Sequence, residues 1–391
     1  HYRKHYIGST KGSIMDPQAA DHTRSPPSVG EASPNTAIAI DAISSDGFKT
    51  WRRATTTREN IEQGRAYYNK PSPEHPPEKH TPSSLLQCHR KLAYRKSNAP
   101  RETEMAHGIL WVGSQIEEEI VLPYLRDAVA DCGLFVTNSL YVDFEVASSA
   151  GDLVVKGSTD PVVVDVDGTP VLPTEVKTKQ SIEHLRNPNE HHKAQLHAYM
   201  VGLSRKHDID LRRGCLIYGA RDSFDLKVFD VEFDDKFWEN TVVAWASDHT
   251  AYRVGDGLPP ADARFGWECD FCAYRERCGE GDLPVHDRGH SGFVPFVEYP
   301  RAEVTDHLAA KTDVALTPTL ASLYPDLAEE HDVVRWRCTA CEATFNHDQV
   351  DWGGTRTEPP LCAVCASNDR LVERTVPWPP RVNANHGGDR Q

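Results

Sequence analysis

The sequence predicts an α/β fold: a mixed central sheet flanked by helices, followed by a small cysteine-rich module. Three observations carry that expectation. Alternating and β-branched runs cluster at LFVTNSLYVDFEV, VVKGSTDPVVVDV, PVLPTEVKTK, CLIYGAR and DLKVFDVEF. Segments of helical period stand before, between and after these runs, giving the order α–β–β–β–α–β–β–α. Eight of the ten cysteines fall into two quartets, Cys88 with Cys269, Cys272 and Cys278, and Cys338, Cys341, Cys362 and Cys365.

Taken in order, residues 1–80 are rich in Pro, Ser, Thr and charge. They read as a mostly disordered region with one helix across Thr57–Tyr68. Residues 1–14 precede the first methionine, Met15, and are set aside as upstream or vector-derived sequence. The domain proper is expected over 81–280. Ser83 or Ser84 can cap a short helix carrying Cys88. A longer helix follows from Ala106 to Val129, with Ile109, Leu110, Ile116, Ile120, Val121 and Leu125 at helical spacing. Three strand segments come next, and Asp167-Gly168 marks a hairpin between the last two. His191–Leu203 is helical, two further strands follow, and Phe237–Arg253 returns to helix. Residues 281–335 form a Pro-interrupted, weakly helical connector. A compact module spans 336–376, and 377–391 read as a frayed tail.

Composition narrows the function. The 391 residues leave room for two or three folded units. No apolar run is long enough to span a bilayer and HYRKHYIGST has no signal-peptide core, so no membrane role and a cytoplasmic location are expected. The net charge of -15 argues against a generally basic nucleic-acid binder. With Arg exceeding Lys, it fits either a halophile's acidic surface or an ordinary acidic enzyme. In a salty setting counterion release would add little to the affinity for any nucleic acid.

Cys338-x₂-Cys341 and Cys362-x₂-Cys365 have the spacing of a zinc ribbon, flanked by Trp336 and Phe345. Cys269-x₂-Cys272-x₅-Cys278 supplies three thiolates that need a fourth ligand, and Cys88 is available. Four thiolates suit zinc or an iron–sulfur cluster equally on spacing alone. Cys132 and Cys215 lie beside apolar residues and read as small core residues.

The chemistry concentrates in GSTD (Gly157–Asp160) and EVK (Glu175–Lys177). The hairpin brings Asp160 and Glu175 to one sheet edge, and Glu175 and Lys177, two apart on a strand, share a face. Hard carboxylate oxygens suit Mg²⁺ or Mn²⁺. A lysine beside them can orient or deprotonate water and offset charge in the transition state. QLHAY then places Gln195 and Tyr199 on one face of the next helix.

With GSTD as acidic motif and EVK as E-x-K, this arrangement resembles the PD-(D/E)XK nuclease superfamily and implies its restriction-endonuclease-like core. The Gln-x-x-x-Tyr spacing is similar to the motif of the RecB-like branch, which implies that Gln195 and Tyr199 support the active site and engage DNA. RecB-like enzymes commonly carry an upstream His in G-x-x-x-H. Here Gly113–Glu117 gives G-x-x-x-E, a form used by related exonucleases of the superfamily. Glu117 is favoured as the upstream metal ligand, with His107 as the alternative. Cys88 with the C-x₂-C-x₅-C resembles the iron–sulfur staple of RecB-like nucleases, including the CRISPR-associated RecB-like exonucleases. That implies a 4Fe-4S cluster, with zinc as the alternative. The resemblance covers Pro82 to Gly279.

The resulting expectation is a metal-dependent DNA exonuclease acting on single strands or DNA ends, in DNA repair or CRISPR adaptation and with proteins of those processes as partners. Asp160, Glu175, Glu117 and the Val176 carbonyl hold the metal and Lys177 activates water. Arg90, Lys91 and Arg95 are candidates for phosphate contacts. The alternative from another class is an inactive nuclease-fold DNA adaptor that recruits partners through its ribbon. A zinc-ribbon regulator without nuclease activity is a second.

Overall fold

A computed structural model describes residues 38–39, 43–62, 75–104, 107–255, 257–283, 289–349, 359–368 and 370–375. The chain divides into two units, His1–Asn69 and Lys70–Gln391. In the first, helix α1 spans Ser45–Glu62, beginning twelve residues before the expected Thr57. Residues 63–68 of that expectation, most of the expected disordered region and the 377–391 tail lie outside the described residues.

The second unit opens with β1 (Lys79–His80), a 3₁₀ turn at Pro82–Ser84 and α2 (His89–Lys96). Ser83 and Ser84 therefore lie inside the 3₁₀ turn and do not cap a helix. Thr81 precedes that turn, Pro at its first position suits it, and Cys88 itself occupies the N-cap of α2. The long helix of the sequence exists in three parts: α3 (His107–Ile116), a π-helical turn (Glu117–Val121) and α4 (Leu122–Ala130).

Eight strands then carry the architecture. β2 (Phe135–Thr137), β5 (Val162–Val164), β6 (Pro170–Lys179), β7 (Arg213–Ala220) and β8 (Leu226–Glu232) form a mixed sheet in the order β2-β5-β6-β7-β8. β6 is antiparallel to β5 and parallel to β7. β3 (Tyr141–Ser148) and β4 (Gly151–Ser158) pair as a hairpin and form a separate three-stranded sheet with β1. The run VVKGSTDPVVVDV is thus broken into β4 and β5, and Asp160 sits in the break. The Asp167-Gly168 hairpin forms as the dipeptide predicts: Gly168 takes φ +79° and the Asp165 carboxylate accepts from the N–H groups of Asp167 and Thr169.

The sheet's two faces are covered differently. α5 (Glu190–His207) lies against one face, where Leu196, Tyr199 and Leu203 join Leu216 and Tyr218 in the main core. Ile116 and Val121 cover the other, against Val176 and Ile217. β6 therefore points Glu175 and Lys177 to the α5 side and Val176 to the other. The chain closes over the core through α6 (Asp235–Phe237), a π turn (Trp238–Val243) and α7 (Ala244–Val254). α8 (Trp267–Asp270) and α9 (Arg275–Cys278) carry the second group of cysteines.

The connector is more ordered than its prolines suggest. α10 (Arg301–Ala310), α11 (Pro318–Leu323) and α12 (Pro325–Glu330) enclose a core that includes Phe293, Tyr299, Leu308, Leu316 and Leu320. Pro318 stands at a helix start, where its missing N–H costs nothing, and the Thr317 hydroxyl accepts the Leu320 N–H. Fully buried Arg277 of α9 donates 3.1 Å to the Gly289 carbonyl and also to that of Gly292, so the connector is seated on the last cysteine helix. The C-terminal module is a three-stranded antiparallel sheet of β9 (Trp336–Cys338), β10 (Thr344–Phe345) and β11 (Arg374–Thr375), with α13 (Ala363–Ala366) beside it. Among the described residues no helix is long and apolar enough to cross a membrane.

Candidate active site

The site is built where β6 passes the loop before β5. Glu175 is fully buried and forms an ion pair with Lys177, as their shared strand face requires. Asp160 approaches from the loop, and one of its carboxylate oxygens accepts the Val176 N–H at 2.7 Å. Gly157, at the head of the same motif, has a separate reason to be small: a Cβ there would come 2.8 Å from Pro82.

Glu117 reaches the cluster from the π turn. The Leu122 N–H bonds back to the Glu117 carbonyl, five residues earlier, so the turn is one residue wider than α-helix. Glu118 and Glu119 remain exposed while Glu117 is half-buried. Burial first and the neighbouring Asp160 second push the Glu117 carboxyl up to about 7. The same two causes push Glu175 up to about 8, and burial raises Asp160. Burial pulls Lys177 down, but Glu175 and Asp160 outweigh it and hold the ammonium above its ordinary value. Three carboxyls facing one ammonium leave the metal-free cluster over-supplied with negative charge, and the carboxyls relieve it by retaining protons.

Gln195 and Tyr199 sit as their spacing predicts on one face of α5, but both are buried. Gln195 Nε2 donates 2.7 Å to the Tyr199 hydroxyl, and that hydroxyl faces Glu175. They stand behind the glutamate, buried in the metal-free and DNA-free structure. Neither Glu175 oxygen has a hydrogen bond of normal geometry. A buried carboxylate in that condition is costly unless something else satisfies it. Oxygen donors from Glu117, Asp160 and Glu175 with the Val176 carbonyl at the sheet edge suit a hard divalent cation. The donor chemistry fits such an ion, although the three carboxylates do not form a group with all ligand oxygens within 4.8 Å of one another, so binding would draw them together. The His107 side chain lies outside the described residues.

Cys88, Cys269, Cys272 and Cys278 line a single cavity with Lys91 and Tyr94. Burial raises the Cys88 and Cys278 thiols and pushes Cys272 up to about 11. Four half-buried thiols from distant parts of the sequence thus share one cavity. No three of these sulfurs come within 4.8 Å of one another. The second quartet is closed: the sulfurs of Cys338, Cys341, Cys362 and Cys365 all lie within 4.8 Å, with pairs at 3.6 and 3.7 Å. A tetrahedral ion with metal–sulfur bonds of about 2.3 Å sets sulfurs about 3.8 Å apart, so this quartet can hold one metal ion.

Other assignments change. Cys132 is exposed, because the helix ends there and the chain turns out, so it is not a core residue; Cys215 is half-buried against the Val176 face. Arg90 donates to the carbonyls of Pro259 (2.6 Å) and Cys278 (3.2 Å), and Lys91 pairs with Glu268 at 3.7 Å. Both are committed around the cysteine cavity, and of the three proposed phosphate contacts only Arg95 is exposed. The rings of His191, Phe265 and Trp267 also meet, and Lys177 bears on His191; the aromatic string RFGWECDF is their signal in the sequence.

An acid pair with an adjoining lysine, where the central strand β6 runs on past its neighbour β5 in a mixed α/β core, suits the class of metal-dependent nucleases. Residues 58–279 match the family model of the PD-(D/E)XK nuclease superfamily, more than half of the chain, and the chain belongs to that superfamily. Among solved structures it is similar to that of SSO0001, at 19% identity over 59% of this chain and 95% of that one, with a TM-score of 0.39. No curated protein matches.

Proposed function

We propose that this protein is a deoxyribonuclease of the RecB-like, iron–sulfur type, acting as an exonuclease on single-stranded DNA or DNA ends in repair or CRISPR adaptation. The observation that carries the reading is Glu175, fully buried with Asp160 and Lys177 bearing on it, while Glu117 bears in turn on Asp160 and Lys177. Glu117, Asp160, Glu175 and the Val176 carbonyl would hold Mg²⁺ or Mn²⁺. Such an ion, when bound, polarises a phosphate oxygen and makes water easier to deprotonate. Lys177 orients the attacking water and takes its proton once the acids' charge is engaged elsewhere, since their field is what keeps the ammonium protonated. Tyr199 and Gln195 fix the Glu175 carboxylate.

Cys88, Cys269, Cys272 and Cys278 line one cavity, and the likeness of their spacing to the RecB-like staple supports a 4Fe-4S cluster there, with a single zinc ion as the alternative. The closed ribbon quartet favours Zn²⁺. End-labelled single- and double-stranded DNA, incubated with Mn²⁺ or Mg²⁺ at low and high salt, tests the activity. Progressive shortening that EDTA abolishes is expected. No cleavage of either substrate under any of these conditions overturns the reading.

A further inference from the structure

We propose that Trp267, backed by Phe265 and His191, is a stacking platform for a base of single-stranded DNA entering the catalytic site, an inference that rests on the nuclease reading above. The rings form a layered group: Phe265 and Trp267 stack at 6.1 Å with 17° between planes, and His191 lies 5.5 Å from the first and 5.4 Å from the second. Phe265 and His191 are half-buried, whereas Trp267 is 45% exposed. The outermost ring of the group is thus left with its surface open to solvent.

The segment that presents it is clamped on both sides. Arg264 makes a two-pronged contact with Glu190 at the start of α5, 3.1 Å at each prong. On the other side, buried Glu268 accepts the Cys88 N–H at 3.0 Å and pairs with Lys91. An exposed tryptophan on a fixed segment loses little conformational freedom when a flat ligand lands on it.

Lysines stand beside the group, and a divalent ion in the catalytic cluster would offset the excess of acids there. Burial first, and then Lys177, Lys179 and Lys91, keep the His191 ring neutral, with a pKa lowered to about 4. Lys177 and Lys91 have acid partners, while Lys179 lies 5.8 Å over the Tyr218 ring with no ion pair among the described residues. Aromatic faces beside lysines bind single strands with little sequence preference, because every unstacked base offers a π-face. A duplex hides those faces. In a chain of net charge -15, such a local device supplies affinity that the overall field cannot.

The test is fluorescence anisotropy in Ca²⁺ buffer with three labelled probes: an oligothymidylate, an abasic oligonucleotide of the same length, and a blunt duplex. Trp267→Ala should weaken oligothymidylate binding about tenfold. It should lose much less on the abasic strand and on the duplex, and Trp267→Phe should recover most of the affinity. Oligothymidylate binding within twofold of wild type overturns the proposal. So does an equal loss on the abasic strand, which would mean that Trp267 acts through structure, or an equal loss on the duplex. Circular dichroism on each variant confirms that the fold is retained. The nuclease reading fails separately: wild-type protein that never cleaves DNA with Mn²⁺, yet shows the base-dependent loss, would keep the platform and discard the catalysis.

Discussion

The Val176 N–H donates a 2.7 Å hydrogen bond to the Asp160 carboxylate, so the strand that carries Glu175 and Lys177 also aims the acid in the preceding loop. The two halves of the site are thus joined through backbone, independently of any ion. Side-chain substitutions here should alter chemistry before they alter the fold.

Lys177→Ala should lower the cleavage rate by at least about a hundredfold, the usual scale for losing a general base. Mn²⁺ affinity should be kept or increased, because an opposing positive charge has been removed from three carboxyls. Asp160→Ala and Glu175→Ala should lose metal affinity and activity together. Calorimetric Mn²⁺ titration separates the two cases. Unchanged Mn²⁺ binding in both acid variants would show that the cation sits elsewhere.

The acids also predict a pH dependence of stability. In the folded protein Glu117 titrates at about 7 and Glu175 at about 8, against an ordinary value of 4.5. A carboxyl raised by folding still holds its proton where the unfolded chain has released it. Its contribution is therefore fully present below the unfolded value and is lost as pH rises towards 8. Lys177 is raised from 10.5 and stays charged throughout this window, so it adds no slope. In EDTA the melting temperature should fall between pH 5 and pH 8, Glu175→Gln should flatten the fall, and Mn²⁺ should raise the melting temperature more at pH 8 than at pH 5. A flat EDTA profile would contradict the burial of these acids.

Gly202 of α5 sets how closely the helix bearing Gln195 and Tyr199 can approach the β3–β4 hairpin. A Cβ there would lie 2.7 Å from the Val142 Cβ and 2.9 Å from the Phe144 ring. Gly202→Ala should destabilise by about 1–3 kcal/mol, the typical cost of overpacking. Gly108→Ala, where nothing lies within 4 Å of the added carbon, should be neutral or slightly stabilising by helix propensity. Urea denaturation distinguishes them, and equal midpoints for the two variants would refute the close approach.

What the sequence made legible follows its periodicities. Glu175 and Lys177 on one face need only the two-residue period of a strand, and the turn before Thr169 needs only Asp-Gly chemistry. Glu117 was placed by its distance from Gly113, but the π turn that carries it has no period of its own to read. The break that frees Asp160 was hidden inside a continuous β-branched run, because pairing with Tyr141–Ser148 on one side and Pro170–Lys179 on the other is a long-range choice. Gln195 and Tyr199 were visible as a face, yet only tertiary burial shows that the face turns inward. Cys132 failed for the same reason: an apolar neighbourhood in sequence says nothing about which side of a helix end meets solvent.

Cys88→Ser is the most discriminating change in the second site. Cys88 stands at the N-cap of α2 and lines one cavity with Cys269, Cys272 and Cys278, although the last of these is 190 positions away in sequence. Its N–H is also bonded to Glu268, and Arg90, two residues on, donates to the Cys278 carbonyl. Protein contacts therefore already join the two ends of the domain, and a metal centre would reinforce a junction that the chain forms itself. Serine is a poor ligand for iron and leaves one corner of the centre open to solvent, while the backbone bonds to Glu268 and from Arg90 survive. The expected result is a lower iron content, loss of visible absorption and a reduced melting temperature, with a folded protein remaining. Cys132→Ser, at an exposed position, and Cys215→Ser, packed against the Val176 face, should leave iron content unchanged. Full iron in Cys88→Ser together with loss in Cys132→Ser would reverse the division of the cysteines and remove the support for a metal centre tying the two ends of the domain.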